Sequence, residues 1–139
     1  MAMTENPNDK IVAEFRANDG EVGGYFAGRT LLLLHHKGVK TGTERVNPLA
    51  YRQVGDSYAI FASAAGRKDD PQWFRNLVAN PDTTAEIGTS TLRVRARVAG
   101  PDERAAIYAE QAADWPGFAE YEVSAAPRQI PVVLLDPVA

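Results

Sequence analysis

The strand-like segments of this chain come in neighbouring pairs, and this arrangement limits its fold more than any other feature. Each pair consists of two apolar stretches around a glycine turn: residues 45–53 and 57–63 around Val54-Gly55-Asp56, and residues 83–87 and 91–98 around Gly88-Thr89-Ser90. Such short connections join antiparallel strands, because parallel strands need a long crossover. The pairs therefore predict hairpins and argue against the strand–helix alternation of a Rossmann sheet.

Two more strands and several helices complete the predicted architecture. Residues 30–36 and 130–135 are short continuous apolar runs, a pattern typical of strands buried on both faces. Helical patterns lie between the strands, at residues 9–18, 71–80, 101–115 and 116–121. About six mostly antiparallel strands with peripheral helices predict an α+β fold in which the strands form a small barrel. Pro48, inside one strand, predicts an edge position or a bulge there.

Composition excludes several classes of protein. The 139 residues suit a single domain, residues 1–139, with residues 1–8 as a flexible tail. The absence of cysteine excludes disulfides, thiolate zinc sites and iron–sulfur clusters. A net charge of −3 argues against a nucleic-acid partner. The longest apolar run, residues 30–34, is far shorter than the roughly 20 residues that span a bilayer, and the polar start of the sequence leads us to expect a cytoplasmic protein.

The usual catalytic and metal-binding motifs are absent from the sequence. It contains no GxGxxG, Walker lysine, HExxH or GxSxG pattern. His35 and His36 are its two histidines, and adjacent strand residues face opposite ways. We therefore predict no metal site, with one histidine half-buried and the other exposed.

Two segments have compositions that suit an anionic, flat ligand. Residues 37–49 contain three cations, one acid, two glycines and two threonines, which suits a phosphate or a carboxylate-rich tail but also a solvated turn. Residues 62–66 are small and leave room for a flat ring. Asp70 and Pro71 then begin a helix as candidate N-cap and first helical residue, with free N–H groups. Trp73 on that helix can pack against an aromatic cofactor or anchor the helix to the barrel.

Three aromatic residues at steps of three form the last candidate feature. Trp115, Phe118 and Tyr121 would share one helix face and can wall an apolar pocket, with the Tyr121 hydroxyl as a donor. A helix face packed on the core has the same spacing and is the commoner arrangement.

The order of these segments resembles the deazaflavin-dependent nitroreductase family, small actinobacterial proteins that use coenzyme F420. The resemblance runs from Asn18 to Leu135 and is carried by LLLLHHKGVKTGTERVNPL, FASAAG…DPQWFRNLVANP, WPGFAEY and IPVVLL. It implies a split β-barrel related to the flavin-binding pyridoxamine-phosphate oxidases. It also implies hydride transfer from reduced F420 to an electron-poor acceptor, namely a quinone, an activated alkene or a nitroaromatic.

The resemblance implies a role for each matching position. The expected contacts of the cofactor's phosphate and glutamate tail are Lys40, Thr41 and Arg45. The expected neighbours of its ring are Val46, Asn47, Pro48 and Leu49 on a strand, Ser63, Ala64, Ala65 and Gly66 in a loop, and Pro71, Trp73 and Asn76 on a helix. Ser63 and Tyr121 are the expected catalytic hydrogen-bond donors, and the expected substrate pocket is made by Trp115, Phe118 and Tyr121.

This chain departs from the family at three positions. Members often have lysine where this chain has Ala64, and nitro-activating members have tyrosine at the positions of Trp115 and Phe118. We therefore expect cofactor binding to be retained with fewer donors toward the substrate. The alternatives are an FMN-dependent oxidase or reductase of the same fold, or a non-catalytic protein that binds the deazaflavin or a lipophilic ligand. Expected partners are a small-molecule acceptor and, for a lipophilic quinone, a membrane surface. We expect a monomer or a homodimer.

Overall fold

Four helices and six strands make up the part of the chain that the computed structural model describes, residues 7–23 and 30–138. The helices are α1 (Pro7–Ala17), α2 (Gln72–Ala79), α3 (Pro101–Asp114) and α4 (Gly117–Ala125). The strands are β1 (Leu31–Lys37), β2 (Glu44–Val54), β3 (Ser57–Phe61), β4 (Asp82–Ile87), β5 (Ser90–Val98) and β6 (Val132–Pro137). A 3₁₀ turn, Ala64–Gly66, follows β3. Of the predicted tail, residues 1–6 lie outside the described residues, and residues 7–8 belong to α1.

The strands close into one antiparallel barrel in the order β1-β2-β3-β6-β5-β4. Both predicted hairpins are confirmed, because Val54 pairs with Ser57 and Ile87 with Ser90. Gly88, in the second turn, has a φ of 58°, a conformation that costs a side-chain-bearing residue more than glycine. With helices on the outside, the barrel confirms the predicted α+β split-barrel fold.

The first four residues of strand β1, Leu31–Leu34, are apolar because both faces of this part of the strand are covered. Leu32 and Leu34 belong to the cluster that fills the barrel. Leu31 and Leu33 belong to a separate cluster beneath α1, where Phe15 covers them. The continuous apolar run in the sequence therefore reflects a strand between two cores.

A third cluster joins α3 and α4 to the outside of β3 and β6. Tyr108 and Phe118 pack there on Phe61 and Leu134, all of them buried. The burial of each such side chain stabilises the fold by roughly 1.5–3 kcal/mol. This packing fixes α4 beside the end of β3, next to the 3₁₀ turn.

Pro48 lies at an edge within an otherwise closed barrel. It pairs with Leu33 of β1, whereas the pairing of β2 with β3 starts only at Tyr51. A residue without an N–H can therefore be placed there without the loss of a hydrogen bond in the β2–β3 ladder. The part of β2 before Tyr51 leaves one side open, and a groove lies on that side of the barrel.

None of the described helices combines the length and the apolar character that crossing a membrane requires.

Candidate functional site

A groove of about 1710 Å³ lies between the turn that follows β1, strand β2, the 3₁₀ turn and helix α2, with α1 at its rim. Ten of the residues expected to bind the cofactor line this groove: Lys40, Thr41, Arg45, Val46, Asn47, Ala64, Ala65, Pro71, Trp73 and Asn76. Residues from two separate stretches of the sequence, 40–47 and 64–76, therefore meet on one surface. The groove is larger than the usual 300–1,000 Å³ of a small-ligand site, as suits a long ligand.

Four of the expected cofactor residues are not on the groove wall. Pro48 and Gly66 are buried in the strand and the turn, and Leu49 packs toward the barrel core. Ser63 is half-buried at the start of the 3₁₀ turn, where its carbonyl accepts a hydrogen bond from the Gly66 N–H at 2.8 Å.

The turn between β1 and β2 is a closed hairpin loop that presents cations to the groove. The Gly38 N–H donates to Thr43 O at 3.0 Å, and the Gly42 N–H donates to Gly38 O at 2.8 Å. Lys40 is exposed on this loop, and Arg45 is exposed at the start of β2. Within residues 7–23 and 30–138, neither has a carboxylate partner, and the same holds for Arg67 across the groove. Three cations are therefore available to an anionic ligand.

A buried polar network ties both sides of the groove together. His36 Nε2 lies 2.7 Å from Asn47 Oδ1, and Asn76 Nδ2 lies 2.9 Å from His36 Nδ1. Because an amide nitrogen only donates, His36 Nδ1 accepts and the Nε2–H donates to Asn47. Asn76 Oδ1 accepts from Gln72 Nε2 at 2.9 Å and from the Val39 N–H at 3.3 Å. One neutral imidazole thus links β1, β2 and α2.

The environment of His36 favours its neutral form. Burial lowers the pKa of His36, and the charge of Arg45 acts in the same direction, while the hydrogen bond with Asn47 opposes them. His36 is only 4% exposed. His35 is half-buried between Glu86 and Glu44, at 2.7 and 3.2 Å. The prediction of one exposed histidine is therefore wrong, because both sides of β1 are covered.

The 3₁₀ turn that lines the groove has an unusual backbone. Ala64, Ala65 and Gly66 have φ values of 48°, 54° and 81°, which are all left-handed. For a residue other than glycine this conformation costs about 1–3 kcal/mol. At Gly66 an added Cβ would lie 2.9 Å from the Ser124 Cβ and 3.2 Å from the Tyr121 Cα, so α4 packs directly against the turn. Strained alanines on a cavity wall are typical of a functional site.

Arg128 and Asp70 hold the loop that contains this turn, and the sequence analysis did not identify Arg128. Its guanidinium, from the segment after α4, bonds to three carbonyls of the loop and to the Asp70 carboxylate. The prediction that Asp70 is the N-cap of α2 is therefore wrong. Pro71 is the N-cap, and the helix begins at Gln72. No periodic pattern marks Arg128, because its partners lie about 60 residues away.

The aromatic triplet lies behind the groove. Phe118 is buried, and its ring centroid lies 5.1 Å from that of Trp115 and 5.3 Å from that of Tyr121. None of the three lines the groove that the described residues form. Of the two arrangements that the spacing of the aromatic residues allowed, Phe118 therefore adopts the second, a helix face packed on the core. The roles of Ser63 and Tyr121 toward a substrate remain predictions.

Trp73 combines the two arrangements considered for it. It is 6% exposed and belongs to the cluster inside the barrel, so it anchors α2. Its remaining surface lies on the groove wall.

Comparisons with known proteins agree on one family. Residues 9–137 match the family model described as F420H(2)-dependent quinone reductase. A Mycobacterium tuberculosis protein whose name proposes F420H(2)-dependent quinone reductase activity is 41% identical over 106 residues, which are 76% of this chain and 88% of that protein.

Solved structures agree on the fold. A structure of an F420-H2-dependent reductase has a TM-score of 0.70 at 30% identity, covering 82% of this chain and 100% of that one. Another, described as a domain-swapped dimer, has a TM-score of 0.71 at 28% identity, covering 92% of this chain and 93% of that one.

Proposed function

This chain belongs to the F420H(2)-dependent quinone reductase family, and from that premise we propose that F420 binds in the groove between β2 and α2. The protein is an oxidoreductase, its cofactor is F420, and its acceptor is a quinone. Placing the cofactor in this groove is our inference. The observation that carries it is that Lys40, Arg45 and Arg67 all line this groove and have no carboxylate partner among the described residues.

The charges of the groove fit the cofactor's tail, which carries a phosphate and glutamate carboxylates. Lys40 supplies a point charge, and Arg45 supplies a planar fork of donors that suits phosphate or carboxylate. Arg67 approaches the groove from the opposite side. Four acids also line the groove: Asp9, Glu44, Asp69 and Asp70. Of these, Asp70 is paired with Arg128, so it repels an anionic tail less.

Part of the groove lining is uncharged and fits a flat ring. Asn47 and Asn76 are neutral and held by His36, which burial keeps neutral as well. Ala64 and Ala65 line the same groove, and their small side chains leave space for a ring. We assign the ring to these uncharged residues and the tail to Lys40 and Arg45.

Bound reduced F420 supplies a hydride, and the protein binds and orients it. In our proposal Lys40, Thr41 and Arg45 hold the tail, and the 3₁₀ turn and Trp73 limit the movement of the ring. The Ser63 hydroxyl and the Tyr121 hydroxyl remain our candidates for donors to the acceptor oxygen, where negative charge develops. Tyr121 lies on the helix that packs against the 3₁₀ turn.

A side-by-side titration with F420 and with FMN, followed by fluorescence, tests the choice of ligand. We expect micromolar or tighter binding of F420 and much weaker binding of FMN, because a single phosphate uses fewer of the groove's cations. Preference for FMN would contradict the proposal. The family match does not favour the FMN alternative or a non-catalytic binding protein.

Several further expectations stay predictions from the sequence. They are a cytoplasmic location, peripheral contact with a membrane that holds a lipophilic quinone, the absence of a nucleic-acid partner, and a monomeric or homodimeric state. A similar solved structure is described as a domain-swapped dimer, which is a statement about that protein.

A further inference from the structure

All five N–H groups of the Arg128 guanidinium donate hydrogen bonds to one loop, residues 62–70. Nη1 donates to Ala62 O at 3.0 Å and to Asp70 Oδ1 at 2.9 Å. Nη2 donates to Ser63 O at 3.0 Å and to Arg67 O at 2.8 Å, and Nε donates to Arg67 O at 3.2 Å. Its side chain is 12% exposed. Among the described residues, no other side chain bonds to as many carbonyls of one loop.

The carbonyls that Arg128 holds lie on both sides of the left-handed turn. Ala62 and Ser63 precede Ala64, and Arg67 follows Gly66. Within the turn, the backbone supplies two bonds of its own, from the Gly66 N–H to Ser63 O and from the Arg67 N–H to Ala64 O, at 2.8 and 3.1 Å. A strained backbone persists only where its surroundings fix it. Arg128 supplies that restraint at both ends of the turn.

Arg128 does not line the groove, although the turn that it holds does. Its charge is balanced by Asp70, so it adds little net charge toward a ligand. Loss of Arg128 would act on binding through the shape of the loop and through Asp70, whose carboxylate lines the groove and would lose its partner. Asp70→Asn in the Arg128→Gln background separates the two effects, because it removes that charge and leaves the loop without its restraint.

We propose that Arg128 is a positioning residue for F420: it keeps Ala64 and Ala65 in the conformation that lines the cofactor groove. The proposal rests on the proposed function, because only a ligand in this groove would respond to the turn. A preorganised wall costs less free energy to order on binding, so loss of Arg128 should weaken cofactor affinity.

Arg104 provides a matched control. It is an arginine of similar burial, 15% exposed, that also bonds to a backbone carbonyl, Ile130 O at 2.8 Å, and to Glu122. It holds the same segment between α4 and β6 but bonds to no residue of the 62–70 loop. Its loss should lower stability without a change in the shape of the groove.

The test compares Arg128→Gln, Arg128→Lys and Arg104→Gln in three measurements. These are the Kd for F420 by fluorescence titration, the thermal unfolding temperature, and amide hydrogen exchange of Gly66 and Arg67 in the protein without cofactor. We expect Arg128→Gln to raise the Kd about tenfold or more and to speed exchange at both amides. Arg128→Lys should fall between it and the wild type, because one ammonium cannot span four acceptors. Arg104→Gln should lower the unfolding temperature and leave the Kd unchanged.

Two results would overturn the role of Arg128: a wild-type Kd in Arg128→Gln, or an equal rise in Kd in Arg104→Gln. If Arg128→Gln does not fold, Arg128→Lys against Arg104→Gln makes the same comparison. Failure of the cofactor site itself would look different. In that case Arg45→Ala would leave F420 binding unchanged, while the exchange of the Gly66 and Arg67 amides would still respond to Arg128.

Discussion

His36 Nδ1 accepts a hydrogen bond from Asn76 Nδ2 at 2.9 Å, and this contact joins the first strand of the barrel to the helix on the far side of the groove. The imidazole can accept only while it is neutral, since both nitrogens of the imidazolium donate. Protonation of His36 would therefore break one of the contacts that hold α2, the helix that carries Trp73.

Stability should decline below about pH 6.5 because of His36. Burial lowers its pKa in the folded protein, so the unfolded chain takes up a proton first as the pH falls. The stabilisation is complete above the unfolded pKa of about 6.5 and is lost as the pH falls toward the folded pKa. Urea unfolding at pH 7.5, 6.5 and 5.5 measures this slope. His36→Gln should flatten it, and an unchanged slope in that variant would exclude His36 as its cause.

A separate loss of stability should appear below about pH 4.5. Hydrogen bonds from Arg16 hold the pKa of Glu86 below its usual value, and burial opposes them. The carboxylate stabilises the fold above the unfolded pKa, and this contribution disappears as the pH falls through the lowered value. Glu86→Gln should remove this acid transition in urea unfolding between pH 5 and pH 3, while the His36 transition should remain. An unchanged acid transition in Glu86→Gln would contradict the assignment.

Asn76→Ala should destabilise the protein by about 1–3 kcal/mol, because it removes partners from His36, Gln72 and the Val39 N–H in a site that is 0% exposed. Gln72→Ala, at the exposed end of the same network, is the control and should cost less. The free energies of unfolding come from denaturant titrations at pH 7.5. Equal costs for the two variants would show that the network is not what stabilises this region.

Ala65→Gly should be neutral or stabilising, because glycine adopts a φ of 54° without the side-chain penalty. Ala105→Gly, at an exposed position in α3, should instead cost about 1 kcal/mol of stability. Thermal unfolding distinguishes the two. A loss at Ala65 equal to that at Ala105 would mean that the turn is not strained.

Tyr121→Phe should lower the turnover of a quinone more than it lowers F420 affinity, if the phenol donates to the acceptor oxygen. Tyr108→Phe is the structural control from the same aromatic cluster, since its hydroxyl donates to Phe118 O at 2.7 Å. It should lower stability by about 1 kcal/mol and leave kcat unchanged. Wild-type kcat in Tyr121→Phe would exclude a role for that phenol in the reaction.

The sequence predicts local structure well wherever a pattern is short-range. The turns at Gly55 and Gly88 follow from neighbouring residues, and the two hairpins that they form imply the barrel. The contacts of Arg128 with Ala62 and Ser63 cannot be predicted in this way, because they join residues more than 60 positions apart. Nor does the sequence reveal the left-handed conformation at Ala64, since alanine usually avoids it.

Asp70 and His36 show a second limit of sequence analysis. An aspartate before a proline has the pattern of an N-cap, yet a guanidinium from a later segment takes its carboxylate. A histidine in a strand has no pattern that distinguishes a buried hydrogen-bonded ring from an exposed one. In both cases the tertiary partner decides the role.

The most direct test of the cofactor site is the F420 affinity of Arg45→Ala, measured beside Lys37→Ala by fluorescence titration at low and high salt. Arg45 lines the groove and Lys37 does not, although both are exposed cations at the ends of the same hairpin loop. We predict that Arg45→Ala weakens binding by about 1.5–3 kcal/mol at low salt, with a smaller loss at high salt, and that Lys37→Ala binds F420 as the wild type does. Unchanged affinity in Arg45→Ala, or an equal loss in both variants, would contradict the placement of F420 in this groove.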